Sequence, residues 1–167
     1  EIFKEGTEFT WERVVTHLRQ QAYLVKGLRI HVIDARKYEG KMELDGETYL
    51  TDLGYEQPSQ SFYFEGGLKS LVKHYNEFAK PIHKTIFYVE KQEELVGVEI
   101  ALQYIDDLST KIAGYADNIH TPEGGTHVTG FKTSLTRLIN TYARKAGILK
   151  EKDENLSGED IREGLTG

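Results

Sequence analysis

From Gly124 to Lys150 the chain carries no Asp or Glu, yet it holds Lys132, Arg137, Arg144, Lys145 and Lys150. Cations repeated along one segment suit one kind of chemistry: they meet phosphates and gain affinity by releasing the counterions of a polyanion. At about 100° per residue, Phe131, Leu135, Leu138, Ile139 and Tyr142 fall in one arc of a helix. Arg137 and Arg144 project from the opposite side, and Lys132 and Lys145 lie at the borders, so the three leading cations do not share one face on this reckoning. Two uses fit the pattern. One is a solvated surface helix whose charges pair with neighbouring acids; the other is an electrostatic guide for a phosphate backbone, independent of sequence and sensitive to salt.

The setting of this segment is acidic. The 167 residues carry a net charge of −6, with acid concentrated in Glu43 to Glu56, Glu90 to Glu94 and Glu151 to Glu163. That balance argues against a general nucleic-acid coat and for a local face directed at an anionic ligand. Other chemistries are poorly served. There is no Cys, which excludes disulfides, thiolate metal sites and cysteine nucleophiles and fits a reducing cytoplasm. Neither phosphate-cradling glycine loop is present, nor a serine elbow, nor the H-E-x-x-H metal spacing. His120 and His127 read as caps or hydrogen-bond partners rather than ligands. Gly66-Gly67 and Gly124-Gly125 each precede a helical pattern; such pairs serve as tight turns at positive φ or, less often, as helix starts that receive an anion. Asn155-Leu156-Ser157 is formally a glycosylation sequon, but no secretory signal accompanies it.

The elements that position these residues follow from periodicity. Trp11, Val14, Val15, Leu18, Ala22 and Val25 give an amphipathic helix with Thr10 at its N-cap and Gly27 as its stop. Leu28 to Asp34 alternates and is β-branched, a strand with Leu28, Ile30 and Val32 on one face. Arg36 to Gln60 reads as turns around short strands such as Glu47 to Thr51. Ser61 to Glu65 is a strand, and Leu68, Leu71, Val72 and Tyr75 mark a second helix that ends near Pro81. Ile86 to Glu90 and Val96 to Tyr104 form an antiparallel pair, the second alternating as a strand with one face on a core. Lys111 to Ile119 is a further strand, and Phe131 to Tyr142 is the third helix, closed by Gly147. Ser157 caps a short helix over Gly158 to Glu163, and Gly164-Leu165-Thr166 begins a strand that the chain leaves incomplete.

Length and composition predict one α+β domain with helices over a sheet. No run approaches the ~20 apolar residues of a membrane span. The opening Glu1-Ile2-Phe3-Lys4-Glu5 has no start methionine or signal pattern and reads as cut from something longer.

Several strings then carry a resemblance. They are Phe64-Glu65-Gly66-Gly67-Leu68, Pro81-Ile82-His83, Val98-Glu99-Ile100-Ala101-Leu102-Gln103-Tyr104, Asn118-Ile119-His120-Thr121-Pro122-Glu123-Gly124-Gly125-Thr126-His127, Gly130-Phe131-Lys132, and Lys150 through Leu165 with its Asn155-Leu156-Ser157-Gly158-Glu159-Asp160 core. Collinear and absent only from roughly Arg36 to Gln60, they resemble the transducer domain of the ATPase-bearing chains of bacterial type IIA DNA topoisomerases, with the DNA gyrase branch nearer than topoisomerase IV.

The resemblance implies a two-layer sandwich of the ribosomal protein S5 domain 2-like type, with a left-handed βαβ crossover and its C-terminal strand truncated here. It implies a single transducer domain over residues 1–167 that couples ATP binding and hydrolysis to DNA strand passage and lines a cavity for the transported duplex. ATP and Mg2+ belong, on this resemblance, to a GHKL module outside this chain, as does the lysine of a Gln-Thr-Lys loop; no catalytic, cofactor-binding or metal-binding residue is expected within it. Implied partners are duplex DNA, held weakly and without sequence preference, the protein's own GHKL and TOPRIM domains, gyrase A and a second copy in the full-length homodimer, in the bacterial cytoplasm at the nucleoid and away from membranes. Lys132, Arg137 and Arg144 are the expected cavity-facing cations, Lys132 standing where the family commonly has the forked Arg. Gly124 and Gly125 are the expected hinge. The alternative is a free-standing S5-like module that binds nucleic acid or protein.

Overall fold

The computed structural model describes residues 8–39 and 57–167, which fall in two compact units, Glu1–Gly67 and Leu68–Gly167. Most of the Arg36 to Gln60 segment, including the expected strand at Glu47 to Thr51, lies outside the described residues.

In the first unit, helix α1 (Trp11–Leu24) packs on an antiparallel ribbon of β1 (Arg29–Ile33) and β2 (Ser59–Tyr63), in the register Arg29↔Tyr63 to Ile33↔Ser59. The expected helical stripe delivers Val15 and Ala22 to a core shared with Phe62, and Trp11, Leu18, Ile30, Val32 and Phe64 close around it. The Tyr23 and Phe64 rings stack at 3.6 Å. Thr10 holds the N-cap position without a side-chain cap bond, and Gly27 turns the chain at φ +80°. Leu28 precedes β1 and stays 37% exposed, so the expected apolar face of that strand is carried by Ile30 and Val32 alone. β2 begins two residues before the expected Ser61. Arg36 donates to both oxygens of Asp34, at 2.8 and 2.5 Å, and to the Phe9 carbonyl at 2.8 Å. That guanidinium lowers the Asp34 carboxyl to about 2.

The second unit is built on a three-stranded antiparallel sheet, order β3 (Phe87–Glu93), β4 (Val96–Tyr104), β7 (Leu165–Thr166). Helix α2 (Leu68–Tyr75) packs on β4 through buried Leu71 and Val72. Below it a buried polar chain runs from Asn76 Nδ2 to Gln103 Oε1 (3.0 Å) and from Gln103 Nε2 to the His83 carbonyl (2.9 Å). His83 Nε2 accepts from the Tyr104 backbone N–H at 2.9 Å, which leaves Nδ1 to donate to the Thr85 carbonyl at 2.7 Å. The imidazole is thus pinned in one neutral tautomer.

β4 corrects a simple alternation rule. Ala101, Leu102 and Gln103 are buried in succession, where α2 packs on the strand and β7 pairs along its edge. At the other end Val96 and Val98 are 61% and 47% exposed, since nothing among the described residues lies over the β3–β4 hairpin there. The expected strand at Lys111 to Ile119 is also revised. Lys111 bridges Thr166 in parallel, and the rest becomes a hairpin of β5 (Tyr115–Ala116) and β6 (Ile119–His120). Asp117 and Asn118 sit at φ +48° and +63°, the paired left-handed geometry that reverses a strand in two residues.

Helix α3 (Thr126–Lys145) ends at Gly147, φ +71°, as expected. Helix α4 (Gly158–Arg162) starts with a full capping box: Asp160 N donates to Ser157 Oγ at 3.1 Å, and Ser157 N donates to Asp160 Oδ2 at 2.8 Å. Its C-terminal carbonyls are taken by Tyr104 Oη, which donates to Ile161 O, and Thr110 Oγ1, which donates to Arg162 O. Among the described residues no helix is long and apolar enough to cross a membrane.

Two outcomes test this packing. Leu165 is fully buried, so Leu165→Ala should cost about 2–5 kcal/mol in denaturant unfolding, by lost transfer energy and a residual cavity. Ser157→Ala should cost about 1 kcal/mol by loss of the cap. The Ser157 hydroxyl, with the Ser157 backbone N–H, holds the Asp160 carboxyl below its ordinary value. A lowered carboxylate stabilises the fold above its unfolded pKa and loses that contribution as pH falls through the folded one. The cost of Ser157→Ala should therefore shrink on acidification through that window.

Candidate nucleic-acid interface

The cationic segment folds as α3, and its neighbours decide which face is hidden. Asn140 supplies the anchor: its Oδ1 accepts from Leu156 N at 2.8 Å, and its Nδ2 donates to Leu156 O at 2.9 Å and Thr136 O at 3.1 Å. Ala143 lies one turn further on and is also buried; its carbonyl receives the N–H groups of Ile148 and Leu149. The hidden face of α3 is thus centred on Asn140 and Ala143 and takes in the half-buried Phe131, Leu135 and Ile139 of the expected apolar arc, but not its other two residues. Leu138 and Tyr142, placed in that arc, are 66% and 65% exposed. A side-chain amide that satisfies both backbone groups of Leu156 fixes the helix rotation more strictly than an apolar stripe, because an unpaired buried peptide costs more than an exposed leucine.

This rotation brings Lys132, Arg137 and Arg144 to one cleft of about 550 Å³ between α3 and the 155–162 segment. Lys132 and Arg137 flank it, with Thr136 and Asn140 between them. The expected conflict of faces is resolved: the three do share a cleft. A second hollow of about 670 Å³ continues along α3 toward its N-terminus, where Thr126, Thr129, Thr133 and Ser134 lead back to Arg137. Hydroxyls and guanidinium groups therefore run along most of the helix.

Arg144 is held differently from the other two. Nε and Nη2 donate to Asn155 Oδ1 at 3.0 and 2.7 Å, Nη2 to the Asp153 carbonyl at 2.8 Å, and Nη1 to the Lys150 carbonyl at 2.9 Å. All four bonds end on neutral acceptors, so the strap fixes the side chain and leaves its charge uncompensated. None of the ion pairs among the described residues involves Lys132, Arg137 or Arg144. Among these residues, then, the reading of a helix whose charges pair with neighbouring acids finds no pair.

The residues that sequence reasoning missed are Asn140, Asn155 and Arg162. Asn140 interrupts the apolar phase of α3, which is the one signal that marked it. Arg162 also lines the cleft, but it lies in a stretch read as acidic.

The loop that starts α3 is tied at several points. Gly124 N donates to Thr121 O at 2.9 Å, Thr121 N donates to Gly114 O at 2.9 Å, and His127 Nε2 lies 3.0 Å from Thr121 Oγ1. His127 is a hydrogen-bond partner, as expected. Gly124 and Gly125 have φ of +83° and +141°, and a Cβ on Gly125 would stand 2.9 Å from the His127 ring. Gly67, at φ +54°, makes a tight turn closed by its N–H on Phe64 O.

Comparison with known proteins is consistent across the chain. The model of the DNA gyrase B family matches residues 67–167. The chain is 46% identical over 167 residues to the DNA gyrase B protein of Clostridium acetobutylicum and 44% identical over 166 residues to that of Halalkalibacterium halodurans. Each alignment covers 99% of this chain and 23% of the relative, so the chain spans about a quarter of the length of these proteins. The crystal structure of the 43K ATPase domain of Thermus thermophilus gyrase B, in complex with an aminocoumarin, superposes with a TM-score of 0.73 at 30% identity, covering 96% of this chain and 39% of that one. Gyrase B of Myxococcus xanthus gives 0.69 at 18% identity over 97% of this chain and 39% of its own, a likeness of fold. The mixed α/β architecture with antiparallel sheets, the expected α+β class, is thus shared with solved gyrase B structures, and the chain belongs to the DNA gyrase B family.

Proposed function

We propose that this chain is the transducer segment of an ATP-dependent type IIA topoisomerase, DNA gyrase, and that α3 with its cleft faces the duplex being passed. The observation that carries the reading is the gathering of Lys132, Arg137 and Arg144 in one cleft where no carboxylate pairs with them among the described residues. Each side chain has its own part. Arg137, exposed and forked, presents paired N–H donors to phosphate oxygens. Lys132 gives a point charge on a flexible stem, which tolerates a moving backbone. Arg144, strapped by Lys150, Asp153 and Asn155, adds fixed positive potential at the cleft wall. Contacts of this kind position a duplex without reading its sequence, as a protein that must pass any segment requires.

ATP and Mg2+ enter this reading through a GHKL module outside the chain. On this reading no residue of this chain is assigned to either. What this chain supplies is a lever. α3 is bonded to the 150–156 segment that leads into α4, and α4 to Tyr104 and Thr110 beside β7, and nucleotide-dependent rotation of these elements relative to the ATP module would be absorbed at Gly124 and Gly125. The partners follow from the same assignment: the TOPRIM domain, gyrase A and a second copy in the full-length enzyme.

Two measurements test the proposal. Fluorescence anisotropy with short duplexes of unrelated sequence should show weak, equal binding that falls with salt, and Arg137→Glu should lower both the affinity and the salt slope by roughly one contact. Salt-independent, sequence-specific RNA binding would overturn it in favour of a free-standing module. In the full-length enzyme, Gly124→Ala with Gly125→Ala should destabilise by about 1–2 kcal/mol per left-handed position and uncouple ATP turnover from supercoiling. Unchanged supercoiling would remove the loop from the mechanism.

A further inference from the structure

The described cations of the cleft divide into one that is occupied and others that are not. Arg144 spends its guanidinium on the strap. Arg162, the last residue of α4, does the reverse. Its backbone carbonyl is anchored by Thr110 Oγ1 at 2.6 Å, but its guanidinium donates no hydrogen bond and meets no carboxylate among the described residues. The neighbouring acids do not claim it: Asp160, two residues away, is committed to the capping box.

Its position follows from Gly158. A Cβ there would stand 2.6 Å from Arg162 Nη1 and 3.3 Å from Thr136 Oγ1. The guanidinium therefore lies across the first turn of α4, in the space a side chain at 158 would fill, and points to the α3 wall. The side chain is partly buried, with a fixed base and up to five N–H donors unmet by protein. Partial burial raises the cost of leaving such a charge unmatched, and an oxyanion is the partner that matches its fork.

We infer that Arg162 is a phosphate-contacting residue of this cleft, set on the α4 wall while Lys132 and Arg137 act from α3, so that a duplex backbone is held from both sides. The inference rests on the DNA reading above and goes beyond it by naming a contact from a segment whose sequence is acidic. It also gives Gly158 a role: the missing side chain leaves room for the guanidinium.

The test is a salt titration of duplex binding by the full chain, with Arg162→Gln, Gly158→Ala and Arg137→Glu read side by side and folding followed by circular dichroism. Arg162→Gln should weaken binding on the order of tenfold at low salt and reduce the slope of log K against log salt by about one. Gly158→Ala keeps the charge and favours the helix while it displaces the guanidinium, so it should weaken binding with the fold intact. It decides the matter if Arg162→Gln fails to fold. Wild-type affinity and slope in Arg162→Gln or Gly158→Ala, with Arg137→Glu impaired, would overturn the assignment of Arg162 and leave the DNA reading standing. Wild-type behaviour in all three would overturn both.

Discussion

The second unit depends on the short run Gly164 to Gly167, hydrogen-bonded along both edges. On one side Ile105 N donates to Gly164 O and the pair Gln103↔Thr166 joins β4; on the other, Lys111 N, Gly167 N and Ala113 N alternate with Leu165 O, Lys111 O and Gly167 O. Leu165 and Thr166 are the most deeply buried large side chains described. Gly164 makes the approach possible: at φ +71° any Cβ would lie 2.4 Å from the Ile105 carbonyl. Tyr104 and Thr110, on the segments that flank this run, then reach back to the last carbonyls of α4. The sheet thereby fixes α4, and α4 fixes the wall of the cleft.

The cleft stays positive through segregation of charge. Gly124 to Lys150 contains no acid, and two acids of the following segment serve local structure: Asp153 accepts from Lys150 N, and Asp160 closes the cap of α4. Arg144, whose guanidinium reaches into this segment, meets backbone carbonyls and an amide in their place. Like charges gathered this way repel one another, and the cost is met by the buried amide of Asn140 and by the strap, neither of which neutralises a charge. A net charge of −6 over the whole chain opposes indiscriminate polyanion binding, so the field acts only where the groove lies.

What the sequence made legible was mostly local. The stops at Gly27 and Gly147, the cap at Ser157 and the helical stripe of α1 depend on residues a few positions apart, and each appears in the fold where expected, save Val25, which ends the helix as an extended, 37% exposed C-cap. Facts set by distant partners were not legible. The rotation of α3 follows a bond between Asn140 and Leu156, sixteen positions apart, which leaves Leu138 and Tyr142 of the apolar arc exposed. The exposure of Val96 and Val98 depends on where α2 and β7 stop covering β4. Arg162 was hidden by averaging, since a charge count over Glu151 to Glu163 reads acidic while its side chain lines the cleft without a carboxylate partner among the described residues.

The same contacts bear on where a lever of this construction can bend. Arg144 spans from α3 to Lys150, Asp153 and Asn155, and Asn140 adds both backbone bonds of Leu156, so the connection between α3 and α4 is laced along its length. That argues against the 150–157 stretch as a place to absorb strain, although its polar sequence suggests one. At the other end of α3, Gly124 and Gly125 lie in conformations that cost them little, and Gly125 brings no side-chain cap to the helix. The bonds there tie Thr121 to Gly114, just before β5, and to His127 in the first turn of α3, and none of them reaches the 150–157 strap. On the proposed reading, a torque on these elements would meet the strap at the C-terminal end of α3 and only the two adjacent glycines at its start, which is why the hinge is proposed there.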